Sequence, residues 1–161
     1  GDIMKYVTWI ILIVFVAVLI SVGFLIASRV DYFMYEKQVV SFVAKGIQDG
    51  AIVRYNGKSV LVNKYNFEVM CGKLLTITER EKIHKVKEYD RDREIIIEVD
   101  DRNYVVIMPL ERSKAVYMET VLDGKRRYFY VSDKYRLHER VITYSRPEGF
   151  YGPNTLLDDS K

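Results

Sequence analysis

Residues 6–28 carry no charged side chain, and residues 7–27 read VTWIILIVFVAVLISVGFLIA, broken only by Thr8, Ser21 and Gly23. At ~1.5 Å of rise per residue, roughly 21 helical residues reach about 30 Å, the thickness of a bilayer's hydrocarbon core. A helix that is apolar all round needs lipid or a large protein to cover it, and the chain has only 161 residues. The run therefore predicts a transmembrane helix over 4–28. Lys5, Tyr6 and Trp9 would mark one membrane interface and Arg29 the other, because amphipathic rings and basic side chains favour the headgroup region. A cleavable signal peptide is the competing reading, but the run exceeds the usual core of such a peptide, which favours an uncleaved signal anchor. Residues 1–3 before Met4 look like a cloning scar. A tail this short is expected to stay in the cytoplasm, which would place the rest of the chain outside it.

The averages conceal this division. Hydrophobic residues make up 49% of the chain and charged residues 29%, the figures of an ordinary globular domain. Split at Arg29, they become a bilayer span followed by about 130 residues, enough for one compact domain. A net charge of +3, from 25 basic and 22 acidic side chains, is too small to imply nucleic-acid binding. The single cysteine, Cys71, excludes an intramolecular disulfide framework and a Cys-rich zinc site.

Helical periodicity continues past the span. Val30, Phe33, Val40, Val43, Ala44 and Ile47 fall at spacings of three and four, and Asp49-Gly50 supplies a stop. Residues 29–49 therefore read as an amphipathic extension packing that face on the domain. The period then changes. Residues 51–55 and 58–62 flank Asn56-Gly57, a strong hairpin signal because both positions accept positive φ. Residues 63–75 fit a short helix with Phe67, Met70, Cys71 and Leu74 inward, although they also alternate as a strand. Residues 78–93 are highly charged, with Ile83, Val86 and Tyr89 as the apolar points, and read as a long exposed hairpin or a helix. Strands are expected over 94–99, 104–108, 115–122, 125–131 and 140–145. Short connections make sequential strands neighbours, so residues 50–145 form an antiparallel meander and the fold class is α+β. Residues 146–161, with two prolines and two glycines, read as an exposed C-terminal tail.

Patterns for catalysis are lacking. His84 and His138 lie in charged runs and read as surface histidines, and Cys71 reads as a buried apolar thiol. The glycines form no phosphate-binding loop, and no nucleophile elbow, HExxH or EF-hand pattern occurs. Glu94, Glu98, Asp100 and Asp101 read as turn and solubility residues. No enzyme, cofactor or metal is expected. The better candidates are interaction surfaces. Lys125, Arg126 and Arg127 open a strand that continues through Tyr128 and Tyr130, and Phe150-Tyr151 offers an aromatic docking peptide. Cross-strand pairing with Glu119 and Asp123 is the plainer reading of the basic residues. The chain has thirteen tyrosines, a residue suited to interfaces.

A long helix, apolar and then amphipathic, followed by an antiparallel meander resembles the architecture of type IV pilin-like subunits, including minor pilins and pseudopilins. The resemblance spans the whole chain in outline and rests on no motif. Pilins carry an acidic residue just inside the start of the apolar helix, whereas Lys5 stands there in this chain. Membrane-anchored scaffold subunits of conjugation machines are similar in outline too. Either resemblance implies a single-pass, non-enzymatic structural or protein-interaction subunit of a cell-envelope assembly. Its partners would be the membrane and other envelope proteins or copies of itself, with nucleic acid not expected. The alternatives are a membrane-tethered domain for a ligand or toxin, of sensor or immunity type, and a cytoplasm-facing adaptor.

Overall fold

The computed structural model describes residues 1–77 and 79–157. The chain divides into two compact units, Gly1–Met34 and Tyr35–Lys161. Helix α1 runs over Asp2–Asp49. No proline interrupts it, and branched and long apolar side chains dominate its first half. Every residue from 1 to 30 is exposed, so this half is one helix long and apolar enough to cross a membrane, close to the N-terminus. Its two hydroxyls are satisfied within the helix: Thr8 Oγ1 donates to the Met4 carbonyl at 2.9 Å and Ser21 Oγ to the Ala17 carbonyl at 2.9 Å. Such back-bonding removes the need for an outside partner for either group.

In the second unit, α1 buries Tyr35, Val39, Phe42 and Gly46, a stripe at spacings of four, three and four. This corrects the face expected from the sequence. Val40 is 58% exposed and Phe33 63%, Ala44 and Ile47 are also exposed, and of the expected positions only Val43 packs against the core. The reason lies at Gly46. Without a side chain there, the Phe67 ring moves against the helix, and a Cβ at this position would run into that ring. Phe67 also lies 5.8 Å from the Phe42 ring, and the Tyr35 ring lies 5.1 Å from that of Phe129. Over residues 35–47 the covered stripe carries two rings, Tyr35 and Phe42, and the opposite one none, so aromatic area decides the face.

The strands are β1 (Ala51–Tyr55), β2 (Lys58–Val62), β3 (Lys82–Ile83), β4 (Ile95–Asp100), β5 (Asn103–Pro109), β6 (Val116–Leu122), β7 (Lys125–Val131) and β8 (Thr155–Leu157). They form one open antiparallel sheet in the order β3-β7-β6-β5-β4-β1-β2-β8. The β4–β7 meander and the β1–β2 hairpin follow the expected ranges closely. At the hairpin, Asn56 and Gly57 take φ of 51° and 73°, the left-handed pair that matches strand twist. Helix α2 (Lys64–Cys71) also forms, with Phe67, Met70 and Cys71 buried as its spacing predicts.

Other segments depart from the expected secondary structure. Residues 140–145 are not a strand: helix α3 covers Leu137–Ser145. Leu137 and Val141 are buried four residues apart, and that spacing prevails over the β-branched content of Val141, Ile142 and Thr143. Residues 146–157 are mostly exposed, as expected of the end of the chain, and residues 158–161 lie outside the described residues. Within that stretch β8 pairs with β2, Val60 opposite Leu156.

The sheet is covered on both faces. One carries the main core, where Val53, Ile95, Ile97, Val105, Ile107, Met118 and Phe129 meet α1, α2 and α3. The other carries Val106, Met108 and Tyr117, and Ile83, Val86 and Tyr89 pack onto them. Residue 78 lies outside the described residues; over 79–93 the charged stretch is neither an exposed hairpin nor one continuous helix, since it holds only single 3-10 turns at Glu79–Glu81 and Arg91–Arg93 beside the two-residue β3. It is a strap whose three apolar points press on the sheet while His84, Lys85, Lys87 and Glu88 stay in water. Replacing Gly46 by Ala would overpack the contact with Phe67 and lower unfolding stability by about 1–3 kcal/mol. Gly72, where a Cβ meets nothing within 4 Å, should accept Ala with little loss. Urea titration of the two variants in detergent checks the difference.

Candidate interaction site

The basic-aromatic segment of β7 does not assemble into one patch, because alternate residues of a strand face opposite sides. Arg127 is 3% exposed and points into the core side. Its Nη1 donates to Gln38 Oε1 at 2.8 Å, and its guanidinium lies 5.4 Å from the Tyr35 ring centroid. Arg126 faces the other way and pairs with Glu119 at 2.7 Å, as the plainer reading anticipates. Asp123 is engaged by Arg102, whose Nη2 donates to the Asp123 carbonyl at 3.0 Å. Lys125 is exposed, Tyr128 is half-buried, and Tyr130 is exposed with its ring set edge-on to Tyr117 at 6.0 Å. Of this expected surface, only Lys125, Arg126 and Tyr130 reach solvent substantially. Lys5, Tyr6, Trp9 and Arg29 are all exposed on α1.

Phe150 and Tyr151 occupy a built site. The loop between α3 and β8 is held by three asparagines that the sequence reading did not single out. Asn66, fully buried, uses its whole side-chain amide. Its Oδ1 accepts from the Phe150 and Tyr151 amides at 3.2 and 2.8 Å, and its Nδ2 donates to the Gly152 carbonyl and Asn154 Oδ1 at 3.0 Å each. That satisfies two donors and two lone pairs, the full capacity of a carboxamide. Asn63 caps α2 by accepting from the Tyr65 and Asn66 amides, and its Nδ2 donates to the Tyr151 and Pro153 carbonyls at 3.2 and 3.1 Å. Asn154 Nδ2 donates to the Tyr144 and Arg146 carbonyls at 2.8 and 2.6 Å. The helix-capping signal of Asn63 was readable, since an Asn precedes the apolar period of α2.

This network displays aromatic side chains. The Tyr144 and Tyr151 rings stack at 6.1 Å with 8° between planes, and Phe150 stands edge-on to both, at 5.6 Å from Tyr144 and 5.0 Å from Tyr151. Phe150 remains 63% exposed and Tyr151 50%. Large rings held at the surface by a loop of fixed geometry bind with little further loss of conformational freedom.

Several ionisable groups elsewhere are tied into structure. His138 is buried, not on the surface as its charged neighbours suggest, and Nε2 lies 2.7 Å from the Arg93 carbonyl, which makes that nitrogen the donor. Burial pushes its pKa below the usual value. A depressed base favours the fold when neutral, so this contribution is present above the unfolded-state value of about 6.5 and is lost as pH falls below it. Burial pushes the Cys71 thiol up, away from the thiolate that reactivity needs. Lys73 is buried with its ammonium over the Tyr135 ring, 3.0 Å from the centroid. Among the carboxylates, Glu98 pairs with Arg54, Tyr89 donates to Glu94 at 2.6 Å, and Asp100 pairs with Lys45. The hydrogen bonds from Lys45 and Asn103 bring the Asp100 carboxyl down to about 2, the opposite of the raised value a general acid uses. An open groove of about 680 Å³ beside the β1–β2 turn mixes Arg54, Lys58 and Arg91 with Asp92 and Glu94, so neither sign of charge prevails. Among the described residues, no three His, Cys, Asp or Glu side chains converge as a metal site.

No family model matches the chain, and no curated protein or solved structure matches it significantly.

Asn66→Ala would strip the Phe150 and Tyr151 amides of their acceptor. The expected outcome is a loss of about 1–3 kcal/mol of stability together with faster amide exchange at Tyr151 than at core strands, read by hydrogen-exchange mass spectrometry.

Proposed function

We propose that this chain is a single-pass, membrane-anchored subunit of a cell-envelope assembly, of the pilus or secretion and conjugation kind, which acts by binding other proteins and performs no catalysis. The soluble unit lies outside the cytoplasm. The observation that carries the reading is the uncharged run 6–28, helical with every side chain exposed. Water is a poor solvent for that surface, and lipid is the cover its length fits. The internal hydrogen bonds of Thr8 and Ser21 suit the same surroundings. Protein binding is supported by Tyr144, Phe150 and Tyr151, aromatic anchors of the type that dominates interfaces, on a loop that needs no ordering. The likeness in outline to pilin-like subunits agrees with both.

Alkaline carbonate extraction of membranes from cells expressing the full chain should leave it in the pellet; release into the supernatant would overturn the anchor. Orientation is read on the same material. Because Cys71 is buried, Lys85→Cys supplies one reactive thiol on the exposed side of the strap. An impermeant maleimide should label it in intact cells, whereas labelling only after lysis would make the chain a cytoplasm-facing adaptor.

The aromatic site has its own test. Replacing Phe150 and Tyr151 together by Ala should leave the melting temperature of the full chain within a few degrees, since both rings are largely in water, yet release the chain from its assembly on a size-exclusion column. An unchanged elution position would remove this loop from the interface.

A further inference from the structure

Helix α1 carries two apolar stripes in its second half, and only one is covered. Tyr35, Val39, Phe42 and Gly46 are buried. At 3.6 residues per turn, Lys37, Val40, Ala44 and Ile47 project roughly 150° away from them. Val40 is 58% exposed and Ile47 37%, and Ala44 is exposed as well. The bare stripe repeats with the same alternation as the covered one and runs longer, over six positions against four. Phe33, Val40 and Ile47 stand seven residues apart, and Val30, Lys37 and Ala44 stand seven apart between them. Alternating spacings of three and four repeat every 3.5 residues, the period of a coiled-coil seam. Lys37 is the one polar side chain in it, and Glu36 precedes it.

We propose that this stripe pairs with the same stripe of a second copy, as a parallel two-stranded coiled coil over residues 30–47. The direction rests on the membrane reading above, because two copies anchored in one bilayer enter their soluble units the same way. Charge complementarity identifies the occupant. With Phe33, Val40 and Ile47 at the d positions and Val30, Lys37 and Ala44 at the a positions, Glu36 falls at g. In a parallel pair each a side chain enters a hole bounded by the facing g, a and d residues. Lys37 of each copy then lies beside Glu36 of the other, so two opposite-charge contacts form across the symmetry axis. A single lysine among apolar a positions also fixes register and favours one helix pairing over staggered ones. The two stripes divide the work of one helix: one face holds the sheet, and the opposite face holds the neighbour.

The test is disulfide trapping in the full chain, in native membranes, with Cys71 retained because it is buried. Ala44→Cys and Ile47→Cys, at a and d, should form covalent dimers under mild oxidation, and Asp49→Cys, at the outer f position, should stay monomeric. In the Ala44→Cys background, Glu36→Lys should lower the dimer yield by at least about threefold, since attraction becomes repulsion in both contacts. The double exchange Glu36→Lys with Lys37→Glu should restore it. Dimers that form equally at residue 49, or that ignore the charge reversal, would overturn the pairing. So would a trapped product of Ala44→Cys with a different polypeptide in place of the dimer. Carbonate extraction of the same membranes separates the two levels: a monomer-only pattern in the pellet overturns the pairing and leaves the anchor standing, while loss from the pellet overturns the anchor and the parallel direction with it.

Discussion

The approach of Phe67 to the bare backbone at Gly46 is the contact on which the folded unit depends. An open sheet must cover one face, and here the end of α1 shares that cover with α2 and α3. Gly46 lets α2 come close, and Phe42, Phe67 and Met70 then fill the space with almost no exposed area. Once this face of α1 is committed, the orientation of every other side chain along residues 35–49 follows from the helical period. That is why Lys45 meets Asp100 and Gln38 meets Arg127, while Val40, Ala44 and Ile47 are left on the far side.

The same commitment explains what the sequence could and could not reveal. The α+β class, the uncharged span, the Asn56-Gly57 hairpin, the central meander and the inward face of α2 were all legible, because each is written as a local period or a local turn. The covered face of α1 was not, since Gly46 contributes to packing by what it lacks and a hydropathy pattern counts only what is present. Helix α3 was hidden by β-branched residues, although Leu137 and Val141 carry the helical spacing. His138 looked solvated because its neighbours are charged, yet the residue sits on the inward side of α3 and bonds the Arg93 carbonyl. The candidate interaction surface was half legible. Phe150 and Tyr151 stood out by type, whereas Asn63 and Asn66, which hold their loop from α2, lie more than eighty residues away in sequence.

The strap over the second face shows how little apolar area such a segment needs. Residues 82–94 are mostly charged, and a helix or hairpin made from them would have no face to bury. Three side chains, Ile83, Val86 and Tyr89, are enough to hold an irregular chain against Val106, Met108 and Tyr117. Backbone pairing assists at both ends: β3 joins β7, and the Asp90 amide donates to the Pro109 carbonyl at 2.8 Å. Because the charged side chains alternate outward, this face of the sheet remains compatible with water while its centre stays dry.

The asparagine network is better understood as a device for geometry than as a source of stability. A buried carboxamide exchanges hydrogen bonds with water for hydrogen bonds with the chain, so its net contribution is modest. What it enforces is uniqueness, because four bonds at fixed angles admit one loop conformation and leave buried groups unsatisfied in any other. Apolar packing could have fastened residues 146–154 as firmly, but it would have consumed Phe150 and Tyr151 as the fastening. Polar pinning by Asn63, Asn66 and Asn154 holds the backbone and leaves the rings outside. A loop that only needed to be stable would have turned its aromatic side chains inward, so their exposure on a fixed backbone is what supports the binding role proposed above.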